Sequence, residues 1–275
     1  MIRPVLVIAG HEVKASLRNR WILAITGLMA ALAVALAFLG SAPTGAVDAS
    51  PLSVTVVGLA ALSVFVVPLI ALLLSYDTIV GEIDRGTMIL LLSYPLSRWQ
   101  VLLGKFLGHV ATILIATVIG YGGAGIAVGL TGEAASAADW RAFSMLVAST
   151  VMLGACFIAL GYMVSAWVRE RGTAAGLAVG LWLVFVVLFD LALLGLLVAD
   201  GGQSIAADLF GAVLLLNPTD VYRILNLTGG EEVRAFAGLA GLDTGASPAT
   251  LFAALGLWIM VPLAVAFLHF HRREI

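Results

Sequence analysis

Along this chain apolar residues come in long runs, and most charges lie in the short stretches between them. A helix needs about 20 mostly apolar residues to cross the hydrocarbon core of a bilayer, which is about 30 Å thick at about 1.5 Å per residue. Six runs meet that length: Trp21 to Gly40, Ser53 to Tyr76, Phe106 to Leu130, Phe143 to Val168, Thr173 to Ala199 and Thr250 to Phe270. The pattern predicts an all-α polytopic membrane protein with six transmembrane helices, a single domain over 1–275. A seventh run, Leu209 to Leu216, is too short to cross and reads as a re-entrant or interfacial piece held against protein. It lies in a loop over 200–249 that is expected to carry short helices.

Residues 1–20 follow a different period. Leu6, Ala9, Val13 and Leu17 share one helical face, with Arg3, His11, Lys14 and Arg18 on the other, which predicts a helix lying along the membrane surface. The first apolar run exceeds the 7 to 15 residues or so of a signal-peptide core, so it reads as an uncleaved anchor despite the small residues of "LGSAP". "HEVKA" at 11–15 is not a zinc-protease motif, because Ala15 stands where the second histidine is needed.

Charge then orients the spans. Of 14 lysines and arginines, eleven fall on the side of the termini and only Arg141, Arg223 and Arg234 on the other, which holds nine acids from Asp48 to Asp243. Basic residues concentrate on the cytoplasmic side, so both termini are predicted to be cytoplasmic. Composition supports the membrane class: 62% of residues are hydrophobic and 11% charged, with a mean hydropathy of +1.12. The net charge of −2 gives no basic field for nucleic acid. The single cysteine, Cys156, excludes an internal disulfide and matches no zinc spacing.

Several positions inside the expected spans carry candidate chemistry. Asp190, in "VLFDLALL", is the one acid in the middle of a span, where a carboxylate costs about 2.5 to 3.5 kcal/mol. It reads as a proton-coupling group, a cation contact, a partner for a buried donor, or a protonated carboxyl hydrogen-bonded to a neighbouring helix. Glycines recur at four-residue spacing in Gly104 and Gly108, in Gly125 and Gly129, and in Gly172, Gly176 and Gly180, which suits either packing within the chain or a subunit interface. Met145, Met152, Cys156 and Met163 fall on one helical face; soft sulfur suits Cu(I), so the stripe is either a copper path or core packing. There is no G-x-x-x-x-G-K-[ST] loop, since Trp99 stands where the first glycine before Gly104 is required. There is no nucleophile elbow either, so the chain is read as no enzyme, with no cofactor of its own and with energy supplied from elsewhere.

The densest charge cluster is "YDTIVGEIDRGTMILLLSYPLSRWQ", residues 76–100, on the predicted cytoplasmic side. It divides at Gly86 into an acidic half and a short apolar half, Pro95 stops any helix, and Ser97 with Gln100 forms a capping-box signature for the next span. The expected order is helix, break, helix, turn, helix, a shape suited to touching another protein. On the far side, "NPTDVYR" places Asn217 at an N-cap, Pro218 at the first helical position and Asp220 at the third, predicting a short rigid helix.

"GEIDRGTMILLLSYPLSRWQVLLGK", the N-terminal "LRNRW" and the six spans resemble the permease subunits of type-2 ABC exporters. "LRNRWILAI", "PLIALLLSYDTIVGE", "GTAAGLAVG", "LFDLALLGLLV" and "LLLNPTDVYRILNL" narrow the resemblance to permeases of nitrous oxide reductase maturation transporters; the loop from Glu231 to Pro248 corresponds least. The resemblance implies a homodimer in the bacterial inner membrane, two cytosolic ATPase subunits that bind the ATP, and a periplasmic β-helix partner that handles copper. It implies that Glu82, Asp84, Arg85, Gly86 and Thr87 form a coupling helix receiving ATPase motion, with Pro95 and Arg98 fixing the turn into the third span. It further implies that Asn217, Pro218, Asp220, Tyr222 and Arg223 contact the periplasmic partner. Export of drugs or lipids by the same architecture, or an ion-coupled carrier using Asp190, stand as alternatives.

Overall fold

The alternation of apolar runs and polar breaks becomes a bundle of helices in the computed structural model, which describes residues 3–18, 26–27, 30–31, 33–35, 51–130, 136–200, 207–227 and 247–273. In chain order the helices are α1 (Arg3–Arg18), α2 (Pro51–Ser75), α3 (Val80–Asp84), α4 (Thr87–Leu92), α5 (Arg98–Leu130), α6 (Ala137–Trp167) and α7 (Arg171–Leu183). A π turn (Val184–Leu188) then leads into α8 (Phe189–Asp200), followed by α9 (Ala207–Leu214), α10 (Pro218–Leu227) and α11 (Pro248–Arg272). No strand occurs among the described residues.

Five helical stretches are long and apolar enough to cross a membrane: Leu52–Asp84, Arg98–Ile126, Ala137–Trp167, Arg171–Leu196 and Pro248–Arg272. They correspond to the second through sixth expected runs. The first, Trp21 to Gly40, lies largely outside the described residues, as does most of the loop before Pro248. The run Leu209 to Leu216 contributes the short α9, which is too brief to span.

Two spans begin earlier than their apolar runs because capping chemistry extends them. α6 starts at Ala137 rather than Phe143: Ser136 Oγ accepts from the Asp139 N–H at 3.1 Å while Asp139 Oδ2 accepts from the Ser136 N–H at 2.9 Å. Asp139 is buried, and Ser53 of α2 donates to its other oxygen at 2.9 Å, tying the two helices at this end. α5 starts at Arg98 rather than Phe106, with Ser97 N–H donating to Gln100 Oε1 at 3.0 Å as the expected box requires.

α6 is the central helix, packed by α2, α5, α10 and α11. Small residues make that possible. A Cβ on Gly161 would lie 2.0 Å from Ser75 Oγ, so α2 and α6 touch where no other side chain fits. The Cys156 thiol is fully buried between α6 and α11, donating to the Leu255 carbonyl at 3.4 Å, while Met145, Met152 and Met163 pack half-buried against the core. No metal-holding cluster of His, Cys, Asp or Glu occurs among the described residues.

Candidate functional site at the coupling corner

Residues 76–100 form the expected helix, break, helix, turn, helix. Ser165 Oγ of α6 accepts from the N–H groups of Ile79 and Val80 at 2.9 and 3.1 Å, satisfying free donors at the start of α3. Gly86 then adopts φ +70°, the one left-handed residue among those described, and the chain turns into α4. After Pro95, Arg98 opens α5. Its Nη1 reaches the carbonyls of Phe270, His271 and Arg273 at 2.6, 3.0 and 2.7 Å, and its guanidinium lies 5.5 Å over the Phe270 ring. Arg98 thus does more than fix a turn: it caps the free carbonyls at the end of α11.

Behind this segment lies a buried charge cluster. Lys105, two turns inside α5, is held between Glu12 of α1, whose Oε1 contacts its Nζ, and Glu82 of α3, whose Oε1 is 2.6 Å away. His109 lies one turn further, its Nε2 3.6 Å from Glu12 Oε2 and its Nδ1 2.9 Å from the Tyr162 hydroxyl. Burial alone would push the Glu12 carboxyl up. The facing His109 imidazole and Lys105 ammonium outweigh it and hold Glu12 at about 2. Glu82 Oε2 is buried without a hydrogen-bond partner, so the α3 arm of the cluster is the weaker one.

The cluster closes because α1 lies directly on α5. A Cβ on Gly104 would sit 2.8 Å from Ile8 Cβ and 2.9 Å from the Val5 carbonyl; on Gly108, 2.6 Å from Glu12 Cβ. This glycine pair therefore serves packing within the chain, while Gly172, Gly176 and Gly180 have nothing within 4 Å. The face of α1 that packs is the Val5, Ile8, Glu12 and Ser16 stripe; Leu6 and Leu17, on the expected apolar face, are exposed. Sequence reasoning missed Glu12 and gave Lys105 only a topological role. The available signal was a lysine flanked by two glycines four apart at the start of a span.

The coupling residues thus separate into two sets. Glu82, expected to face the cytosol, turns inward to Lys105, a correction that follows from the buried ammonium group it pairs with. Asp84, Arg85 and Thr87 remain exposed, and with Ile89, Leu90, Tyr94 and Pro95 they form an outward surface of mixed charged and apolar character. Asp77 pins that surface to α7, with Arg171 at 2.8 Å and Arg85 at 3.5 Å.

At the opposite end of the bundle, "NPTDVYR" builds a second polar cluster. Asn217 caps α10 as expected, its Oδ1 accepting from the Thr219 N–H at 3.0 Å. Its Nδ2 and the Thr219 hydroxyl both reach the Phe185 carbonyl, at 2.9 and 3.1 Å, within the π turn. Arg223 Nη1 bridges Asp190 at 2.6 Å and Asp220 at 3.0 Å. Asp190 is therefore an ion-paired group just after the π turn, toward the end of Arg171–Leu196. Burial, and then the Asp190 charge, push the Asp220 carboxyl up to about 6 against the pull of Arg223 and Asn217. Tyr222 meets Thr150 at 3.0 Å and Asn226 meets Ser149 at 2.9 Å, both on α6.

Asn217, Pro218, Asp220 and Tyr222 are buried and face the bundle, which corrects the expectation that they meet a partner; Arg223 alone of that set is part-exposed. The inward turn has a simple cause: the π turn frees a carbonyl, and Asn217 and Thr219 supply its donors.

Helical throughout the described residues, with several helices long and apolar enough to cross a membrane, an N-terminal helix packed on α5 and a glycine-broken pair of short helices at one end, the fold suits a transport permease. Residues 6–275 match the family described as "ABC-2 family transporter protein", and the chain belongs to that family as a permease subunit of an ABC transporter. It is 46% identical over 271 residues, covering 98% of each chain, to the "Probable ABC transporter permease protein NosY" of Pseudomonas aeruginosa. It is 45% identical over 269 residues, 97% of each chain, to the protein of the same description in Stutzerimonas stutzeri.

Proposed function

We propose that this permease relays ATP hydrolysis by a separate cytosolic ATPase subunit across the inner membrane during maturation of nitrous oxide reductase. The observation that carries the relay is the two-sided coupling segment. Its front, Asp84, Arg85, Thr87, Ile89, Leu90 and Tyr94, is exposed to a partner, and its back is tied through Glu82 and Lys105 to α5 and α1. A push on α3 and α4 would thereby move a membrane-crossing helix and the interfacial helix together. The unpaired Glu82 Oε2 favours α3 as the arm that releases.

The near full-length likeness to two permeases named NosY supports the reductase assignment, with copper-sulfide site assembly as the outcome. The reading includes six spans with both termini cytoplasmic, two ATPase subunits, a periplasmic copper-handling β-helix protein and a homodimer. The open glycine face of α7 supports the last of these. The ion-coupled carrier loses its main support, since Arg223 occupies Asp190.

Two experiments test the reading. Leu90→Arg combined with Tyr94→Arg should abolish co-purification of the ATPase while the permease keeps its thermal stability; retained ATPase with unchanged nucleotide-dependent coupling would sink the docking surface. Complementation of a strain lacking its own permease should restore the visible absorption of the copper sites in nitrous oxide reductase. Restoration of drug or lipid efflux without those bands would favour the exporter alternative.

A further inference from the structure

Where α6 and α11 end together, beside the coupling corner, a cleft of about 310 Å³ is lined by Ala166, Trp167, Arg169, Leu268, His269, Arg272 and Arg273. Three arginines line it, and among the described residues no carboxylate does. Among the described residues neither Arg169 nor Arg272 has an ion-pair partner. Arg273 donates only to the Ser165 and Ala166 carbonyls at 3.4 and 3.1 Å. Burial and then the neighbouring Arg169 charge hold the Arg273 guanidinium below its ordinary value, as expected of cations gathered without a counter-ion. The apolar side of the cleft is built for the edge of a bilayer. Trp167 is 69% exposed and stacks at a tilt on His269, with ring centroids 5.9 Å apart, and Leu268 beside it is exposed.

We propose that this cleft is a binding site for the phosphate headgroup of an anionic phospholipid. Arg169 and Arg272 supply the charge, Arg273 holds the α6 end that forms the wall, and Trp167 lies at the headgroup level where tryptophan is favoured. Arginine suits the task because its planar fork can pair two phosphate oxygens at once. A lipid rather than a free anion is indicated by Trp167 and Leu268, two exposed apolar side chains that line the same cleft as the arginines at the ends of two helices long and apolar enough to cross a membrane. The site rests on the membrane placement of α6 and α11 and does not depend on ATPase coupling.

Native mass spectrometry of the full-length permease with added phosphatidylglycerol, phosphatidylcholine or inorganic phosphate tests the proposal. The wild type should retain phosphatidylglycerol in preference to phosphatidylcholine. Arg169→Gln with Arg272→Gln, which leaves the wall-forming Arg273 in place, should weaken that retention roughly thirtyfold at about tenfold or less per arginine. Because those side chains make no hydrogen bond or ion pair among the described residues, the melting temperature without lipid should change little. Equal retention of both lipids, or undiminished retention by the double variant, would overturn the proposal. So would equal retention of inorganic phosphate, which marks a free-anion site. The measurement needs no ATPase, so its failure leaves the relay reading standing.

Discussion

Replacing Lys105 by Met gives the most direct measure of the buried charge cluster. The substitution keeps the length and most of the volume of the side chain, so the core beside Gly104 and Gly108 stays filled. What it removes is the cation between Glu12 and Glu82, leaving two carboxylates facing one another in the interior. Stranding one member of a buried ion set costs about 3 to 5 kcal/mol. At 2 to 4 °C per kcal/mol for a chain of this size, the melting temperature should fall by roughly 10 °C. The discriminating variant is the triple, Lys105→Met with Glu12→Gln and Glu82→Gln, which removes the stranded charges as well and should recover most of the loss. The assay is thermal unfolding of detergent-solubilised protein followed by loss of the monodisperse chromatographic peak. The Glu12 carboxyl adds a pH signature. Its folded value, about 2, is depressed below the ordinary 4.5, so its stabilisation is present above pH 4.5 and is lost as pH falls from there toward 2. The full contribution is about 3 kcal/mol. A Lys105→Met protein as stable as the wild type, with an unaltered acid limb, would refute the buried cluster.

Other perturbations probe separate features. Gly86→Ala should cost about 1 kcal/mol from the left-handed backbone alone, because a Cβ there meets nothing; Gly86→Asn should cost less, both read by melting temperature. Gly161→Ala forces a methyl onto Ser75 Oγ and should cost about 1 to 3 kcal/mol, with partial recovery in a Ser75→Ala background. Asp220 behaves oppositely to Glu12: its folded value is raised, so its stabilisation is complete below the ordinary value of 3.8 and is lost as pH rises through about 6. Asp190→Asn removes the charge that helps raise it, so the change in melting temperature between pH 4 and pH 6 should flatten, while stability at pH 7 changes by no more than about 1 kcal/mol.

The elements legible in the sequence were those specified locally. Apolar run length located five crossing helices, Gly86 and Pro95 divided the coupling segment, and Asn217 announced the start of α10. What stayed hidden depends on contacts far apart in the chain. Glu12 and Lys105 are 93 residues apart, and nothing near either names the other; the small residues that let α1 reach α5 were visible, but not what they admit. Asp190 looked costly because its partner, Arg223, lies 33 residues on in another helix. The inward direction of "NPTDVYR" was equally invisible, since its attractor is the Phe185 carbonyl, a backbone group that no side-chain pattern reports.

That carbonyl belongs to a stretch with one residue more per turn than its neighbours, and the surplus acts as a phase shift. Each residue of an α-helix advances about 100° around the axis and about 1.5 Å along it. Everything beyond Val184–Leu188 is therefore rotated relative to the glycine face of α7 by the inserted step, and Asp190 reaches Arg223 only in that shifted phase. If the same residues ran as unbroken α-helix, the carboxylate would swing about a quarter-turn away, so the two halves of this span are keyed independently, one to its open glycine face and one to α10.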